Sequence, residues 1–367
     1  MELTCIMEKE FDLQQYITTG VERFVSSALK ATLKNPRESA FLARFAVSAK
    51  KAAAYRKKRE EQGLHIPAFL IASITGSCNL HCEGCYSRDT HATTDEEQKG
   101  ELTDKEWGDI FTEAKSLGIS FIVLAGGEPL LREGVIKAAA ATGGVMFPVF
   151  TNGVFLNEAY RDIFNKNRNL LPVLSIEGDR TTTDARRGKG IYDMVAGNME
   201  KLKSKGIIFG ASVTVTKENI HEVLTDDFVC DLLDKGARFI FYVEYVPIGG
   251  RREEIAPDDS DRDLLKTRVN ELRETCKDMV FVNIPGDEKT SGGCLAAGRG
   301  FFHINTRGDA ESCPMSPFSD VNVKDASLEE ALKSPLFAKL RDNGLLEGDH
   351  KGGCALAGKE EQVKDML

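Results

Sequence analysis

The chain has 367 residues, 41% of them hydrophobic, and a formal net charge of −9; that is enough for one large core and a smaller appended domain. No run of about 18 apolar residues occurs, which excludes a membrane-spanning helix, and the N-terminus, with Glu2, Glu8 and Glu10, lacks a signal-peptide core, so a cytoplasmic protein is expected. Nine cysteines in such a chain point to metal ligation rather than a disulfide framework.

Residues 20–60 read as helix. Val21, Phe24, Val25, Ala28, Leu29 and Leu33 share one face, Pro36 breaks the run, and a second helix follows from about Arg37 to Glu61 with Phe41, Leu42, Phe45 and Ala49 on one side. Residues 21–59 hold eleven Lys/Arg against Glu22 and Glu38, on an otherwise acidic protein. Two readings stay open for this basic segment, residues 1–66. One is peripheral contact with an anionic membrane through residues 20–60, with Phe24, Phe41 and Phe45 inserted. The other is a helical cap packed on the rest of the chain with its charges solvated. The run lacks interleaved aromatic platforms, so no nucleic acid is expected as a partner.

From Ala68 six short apolar or β-branched runs follow: Phe69–Thr75, Phe121–Ala125, Met146–Thr151, Val173–Ile176, Phe209–Thr216 and Arg238–Val246. Helical stretches separate them at Thr103–Leu117, Gly134–Ala141, Asn157–Asn165, Ile191–Lys205 and Asn219–Lys235, and Thr103 with Glu106 reads as a capping box. This alternation predicts a parallel sheet, and six units fall short of the eight that close a barrel. The fold class is therefore α/β, a partial (β/α)6 TIM-like barrel over residues 67–278. A small Cys-rich domain over residues 279–367 completes it. There Phe301–Ile304 and Ala310–Cys313 read as a hairpin around Arg307-Gly308-Asp309, followed by a helix over Ser327–Leu340.

The chemistry-bearing motif follows the first barrel strand: Cys78, Cys82 and Cys85, spaced x3 then x2. Three thiolates on one loop can wrap a face of an iron–sulfur cubane and leave one iron open. A zinc site is the alternative, with His81 as fourth ligand. Position at the C-terminal end of a barrel strand reads as catalytic. The second strand ends in Gly126-Gly127-Glu128-Pro129, where glycines permit close backbone approach.

Together, the cysteine loop and the GGEP turn resemble the radical S-adenosylmethionine (SAM) superfamily, over about residues 68–250. The resemblance implies a [4Fe–4S] cluster on Cys78, Cys82 and Cys85. It also implies SAM binding by the Gly126–Pro129 backbone, by Ser175 at the ribose and by an arginine at the carboxylate. Leu174-Ser175-Ile176-Glu177-Gly178 resembles the family's SxDG strand end with Glu177 in place of Asp. Arg187, or alternatively Arg186, matches the carboxylate-binding arginine. The family's aromatic before the third cysteine is Gly84 here, and Tyr86 is the candidate to cover the adenine instead. The implied reaction is reductive cleavage of SAM to methionine and a 5′-deoxyadenosyl radical that abstracts hydrogen from an unactivated C–H. A reductase, flavodoxin or ferredoxin is the implied electron donor.

Cys294, Cys313 and Cys354 each stand beside Gly or Pro and resemble the superfamily's SPASM/twitch extension, which implies a second, auxiliary [4Fe–4S] cluster with three cysteine ligands. Its fourth site is open, or filled by Asp349, His350 or substrate. Cys230 and Cys276 read as core residues, Cys5 stands alone, and Trp107 and His303 read as packing residues. The expected function is a radical SAM oxidoreductase or transferase acting on an unidentified organic substrate, lipid, polyprenoid or peptide. The alternatives are a ribosomal-peptide maturase, whose β-rich leader-binding domain the helical N-terminus does not resemble, and a non-catalytic iron–sulfur electron carrier.

Overall fold

The computed structural model describes residues 19–22, 25–26, 28–29, 35–96, 98–347 and 354–367. Cys5, Phe24, Leu33, Asp349 and His350 lie outside the described residues. Among the described residues one sheet of nine strands organises the chain: β1 Phe69–Thr75, β2 Phe121–Gly126, β3 Phe147–Thr151, β4 Leu170–Ser175, β5 Gly210–Val215, β6 Phe239–Glu244, β7 Val280–Ile284, β8 Phe301–Ile304 and β9 Ala310–Glu311. The order is β7-β6-β5-β4-β3-β2-β1-β8-β9, parallel throughout except for the antiparallel β8–β9 hairpin. The helices, in chain order, are α1 Pro36–Glu60, α2 Tyr86–Asp89, α3 Asp104–Ser116, α4 Glu133–Ala141, α5 Glu158–Lys166, α6 Arg180–Arg187, α7 Ile191–Ser204, α8 Ile220–Val223, α9 Asp226–Lys235, α10 Asp259–Thr275, α11 Leu328–Leu332, α12 Pro335–Asp342 and α13 Glu360–Lys364.

The six predicted strands form β1 to β6 in sequential parallel register, Phe69 opposite Phe121 and Gly210 opposite Phe239 among the pairs. The outer face of β1 buries Leu70, Ala72 and Ile74 completely. Trp107, Ile110, Phe111 and Ala114 of α3 and Val135, Ile136 and Ala139 of α4 join the same core. Both halves of the Thr103/Glu106 capping box form.

The sheet extends beyond the six predicted units at both edges. On one side α10, opened by a reciprocal Asp258/Asp261 cap and buried through Leu265, Val269 and Leu272, leads into β7 beside β6. That helix is so charged that its narrow apolar stripe escapes a reading of hydrophobic runs. On the other side β8 pairs with β1, Phe301 opposite Phe69 through Ile304 opposite Ala72. The hairpin of the Cys-rich segment is therefore continuous with the barrel sheet. Two predicted helices are split. Thr225 caps the Phe228 N–H and restarts the chain as α9, and Ser334 with Pro335 restarts it as α12.

α1 lies across the N-terminal ends of the strands. Leu42, Phe45 and Ala49 form a core with Val21, Val25, Ala28, Ala68, Phe121, Leu171, Phe239 and Val280. Phe45 is 2% exposed, with its ring edge-on to Phe121 at 5.3 Å and stacked on Phe41 at 6.1 Å. The insertion of Phe45 into a membrane is thus corrected: this face is spent on the barrel, as the cap reading expects. Polar anchors fix it. Asn35 caps the Glu38 N–H and donates from Nδ2 to the Gly206 carbonyl at 2.7 Å. Buried Arg56 donates to the Gly118 carbonyl at 2.5 Å, and burial pushes its pKa down to about 10. Glu38 pairs with Arg168 and accepts from the Ile208 N–H at 3.2 Å. No described helix is long and apolar enough to cross a membrane.

Candidate cluster and cofactor site

With α1 closing one end of the barrel, the motif loops converge at the C-terminal ends of the strands. The Cys78–Cys85 loop leaves β1 and the GGEP turn leaves β2, and the two interlock. The Gly127 N–H donates to the Thr75 carbonyl at 2.7 Å and the Glu128 N–H to the Ser77 carbonyl at 2.8 Å. A Cβ on Gly127 would stand 2.1 Å from the Ser77 oxygen, so only glycine allows this approach. Cys78, Cys82 and Cys85 are free thiols, each partly exposed. Burial, and next the neighbouring Glu128, Cys82 and Cys85 charges, push the Cys78 thiol up. Loading a metal there must therefore be coupled to proton release.

Two groups that the sequence did not single out hold this loop. Arg88 on α2 donates to the Leu80 carbonyl at 2.8 Å and to the Cys78 carbonyl at 3.2 Å. Asn152, just past β3, donates to Asn79 Oδ1 at 2.9 Å and approaches Cys78 Sγ at 4.0 Å. His81, which the zinc alternative needs as a ligand, is exposed and paired with Asp95 at 2.9 Å. Among the described residues no three His, Cys, Asp or Glu side chains converge on a point fit for a single metal ion.

The predicted SAM-side residues meet here, with their side chains distributed differently from the expectation. Glu128 is 1% exposed and accepts from the Leu130 N–H at 2.9 Å, Thr151 Oγ1 at 2.7 Å and the Asn152 N–H at 2.8 Å. Its carboxylate therefore ties the turn to β3, which leaves Pro129 and the glycine backbone facing the loop. Glu177, fully buried, is saturated by Arg186 Nη1 and Arg187 Nε, both at 2.7 Å, and by the Thr214 N–H at 2.8 Å. Both candidate arginines of α6 thus reach the site. Arg187 extends to 3.9 Å from Cys82 Sγ, and the Arg186 carbonyl accepts from the Glu83 N–H at 2.9 Å. Ser175 closes β4 opposite Ser212.

Gly84 has a positive φ of 65°, and a Cβ there would be 2.7 Å from Tyr245 Cε2. The Tyr245 ring, arriving from the end of β6, therefore occupies the space an aromatic of the loop would need. Tyr86 faces another way. Its phenol is pushed up by burial, then by the charges of Cys85, Cys313 and Glu311.

Cys294 is buried in the main core, and Cys313 and Cys354 pack partly buried against that core; burial, then neighbouring charges, pushes the Cys294 thiol well up. The Cys294 N–H donates to the Leu346 carbonyl at 2.7 Å, and Cys313 Sγ accepts from the Met315 N–H at 3.5 Å. Glu288, which no sequence motif marked, is buried beside them. It is hydrogen-bonded to the Cys294 thiol, and it accepts from the Leu295 N–H at 3.1 Å. All three are free thiols, the donor type that iron–sulfur clusters take.

Four other expectations resolve. His303 is buried but is more than packing, since it bridges Glu311 at 2.7 Å and Ser73 Oγ at 2.8 Å. Trp107 is core, stacked on Phe111. Cys230 is exposed, which corrects its assignment to the core. α9 buries Phe228, Val229 and Leu232, and residue 230 turns about 100° from that face. Cys276 is partly buried against the main core.

A partial parallel barrel with a three-cysteine loop and a GGEP turn at the C-terminal ends of its first two strands is the arrangement that radical SAM proteins share. Residues 72–229 match the Radical SAM superfamily, whose members work through a [4Fe–4S] cluster and SAM. It is similar to an AdoMet-dependent heme synthase of Methanosarcina barkeri, 26% identical over 79% of this chain and 90% of that one. It is also similar to the mycofactocin maturase MftC of Mycobacterium ulcerans, 29% identical over 83% and 84%. Among solved structures, Streptococcus suis SuiB bound to its precursor peptide SuiA superposes with a TM-score of 0.66 at 18% identity, over 84% of this chain and 72% of that one. That likeness is one of fold.

Proposed function

We propose that this chain is an enzyme that cleaves SAM reductively and removes hydrogen from an unactivated C–H of an organic substrate. The observation that carries the reading is the interlock of the Cys78–Cys85 loop with Gly126–Pro129 beside the Arg187–Glu177 pair. Cys78, Cys82 and Cys85 would hold the cluster. When bound, the cluster and SAM supply the 5′-deoxyadenosyl radical. The protein's part is orientation and charge. The open backbone at Gly126 and Gly127 offers groups to the methionine amino end. Arg187, held by Glu177 and reaching Cys82, offers positive charge to the carboxylate and to the anionic cluster. Cys294, Cys313 and Cys354 would hold an auxiliary cluster within residues 279–367.

For the substrate, the heme synthase, matched over 90% of its length, favours an iron porphyrin. A peptide is the second reading, favoured by MftC at 29% identity. The test is anaerobic reconstitution and reduction in the presence of SAM. Wild type should release 5′-deoxyadenosine, and Cys78→Ala should not; no release from wild type above background ends the enzyme reading. An added iron porphyrin should shift its absorption on binding and raise 5′-deoxyadenosine release. A peptide that does so while the porphyrin does not reverses the order of the two readings.

A further inference from the structure

We propose that Ser73, His303 and Glu311 form a proton relay whose hydroxyl end faces the substrate inside the barrel, where it takes a proton from an O–H or N–H near the reacting C–H. This assignment rests on reading the chain as a SAM-cleaving enzyme, and it goes beyond that reading by naming a group that meets the substrate.

Strand register places the three side chains on one face. Ile71 of β1 lies opposite His303 of β8, and His303 lies opposite Glu311 of β9. Ser73 is two residues beyond Ile71 and shares its face. Leu70, Ala72 and Ile74 take the other face, in the core that α3 and α4 cover. The face with Ser73 is therefore the barrel interior, where its cross-strand neighbour is the small apolar Ala125. A Cβ on Gly126 would stand 3.3 Å from Ser73 Cα, so Ser73 lies directly against the GGEP turn.

Hydrogen bonds fix the direction of the relay. Asn305 Oδ1 accepts from the Arg307 and Asp309 N–H groups at 2.9 and 3.0 Å, so Nδ2 is the group that donates to Glu311 Oε1 at 2.7 Å. The other carboxylate oxygen, Oε2, accepts Nδ1–H of His303 at 2.7 Å. Nε2 of the imidazole is then the acceptor, and Ser73 Oγ–H donates to it at 2.8 Å. The serine spends its only proton on His303, so what it offers the interior is an acceptor. His303 and Glu311 are buried and Ser73 is partly exposed, which makes the hydroxyl the accessible end. A mere staple between hairpin and barrel would not need a buried imidazole–carboxylate pair, since an apolar pair avoids its desolvation.

In the proposed step the substrate O–H or N–H bond breaks and its proton moves to Ser73 Oγ, as the serine proton passes to His303 Nε2. The bonding electrons stay on the substrate, Glu311 stabilises the imidazolium, and no oxidant or reductant takes part. Ser73 touches the substrate; His303 and Glu311 are positioning residues that act through it.

The test uses the reconstituted full chain and two readouts. The first is chemical and needs no substrate. Without SAM, phenylmethanesulfonyl fluoride should sulfonylate Ser73: the Oγ–S bond forms, fluoride leaves and the hydroxyl proton goes to His303 Nε2. Peptide mass spectrometry should find the adduct on Ser73 in wild type and about 100-fold less of it in His303→Gln. Glu311→Gln, which keeps the side-chain volume, should also lower it and carries the comparison if His303→Gln does not fold. An unlabelled Ser73, or labelling that is equal in wild type and both variants, overturns the relay. The second readout is 5′-deoxyadenosine release with the added iron porphyrin, or with the peptide if that is the probe that raises release. Ser73→Ala and His303→Gln should lower kcat about 100-fold while the KM for SAM stays the same, whereas a general loss of structure would move both. Release with an unchanged kcat in both variants overturns the relay and leaves the enzyme reading standing. Labelling that depends on His303, without any release from wild type, ends the enzyme reading and leaves the activated hydroxyl in place.

Discussion

Glu128 shows how a motif residue can differ from its motif. Its place in Gly126-Gly127-Glu128-Pro129 predicts a cofactor contact, yet its carboxylate accepts three hydrogen bonds that join the turn to the end of β3. Glu128→Ala would leave those buried donors unpaired and should destabilise the fold by about 2–4 kcal/mol, read by urea denaturation; a change under about 0.5 kcal/mol would contradict the role. Gly127→Ala acts locally in another way, by forcing Ser77 and hence Cys78 to move. The expected result is a protein that still unfolds cooperatively but loses most of the iron bound at Cys78, Cys82 and Cys85, measured by iron analysis in a Cys294→Ala background. Tyr245 answers the absence of a loop aromatic at Gly84. Tyr245→Ala should weaken SAM binding about tenfold, or about 1.4 kcal/mol, by isothermal titration, with far less effect from a Leu that keeps the bulk.

At the scale of elements, α6 and the turn into α7 present the arginine pair. Asp184 fixes that turn, accepting from the Gly190 N–H at 2.7 Å and the Tyr192 N–H at 2.9 Å. Those bonds to backbone N–H groups hold its carboxyl below the usual carboxylate range. A carboxylate whose folded pKa is depressed adds stability above its unfolded pKa and loses it as pH falls through the folded value. Asp184→Asn should therefore leave stability below that range unchanged and lower it at neutral pH, narrowing the difference between the two. Arg187 should be less well held, seen as a rise in KM for SAM that exceeds the fall in kcat. This geometry was only half legible in sequence. The residues Arg186, Arg187 and Glu177 could be singled out, but not that one carboxylate would serve both arginines. That depends on β4 and β5 bringing Thr214 alongside.

For the whole molecule, the decisive arrangement is polarity. α1 seals the N-terminal ends of the strands, and the Cys78–Cys85 loop and the GGEP turn leave β1 and β2 at the other end. Phe45→Ala would empty a site between α1 and Phe121 and should cost about 3–5 kcal/mol, with loss of the cap, measured by denaturation and by faster proteolysis between residues 36 and 60. Liposomes should give no protection in that assay; lipid-dependent protection of the wild type would restore the membrane reading.

The sequence alone determined what short-range pattern controls. Alternating runs defined β1 to β6, Thr103 and Glu106 defined the start of α3, and the x3–x2 cysteine loop one strand before Gly126–Pro129 defined the chemistry, because each lies within a few residues or one βα unit. Only the tertiary structure decided the matters of long-range contact. A charged helix with a thin apolar stripe became the lead into β7, and a hairpin over 200 residues away paired with β1. Basic residues that could have met a membrane instead flank an apolar face buried on the barrel. Glu288, in no motif, came to lie buried with its carboxylate on the Leu295 N–H, because burial and neighbours are properties of the folded chain and not of spacing along it.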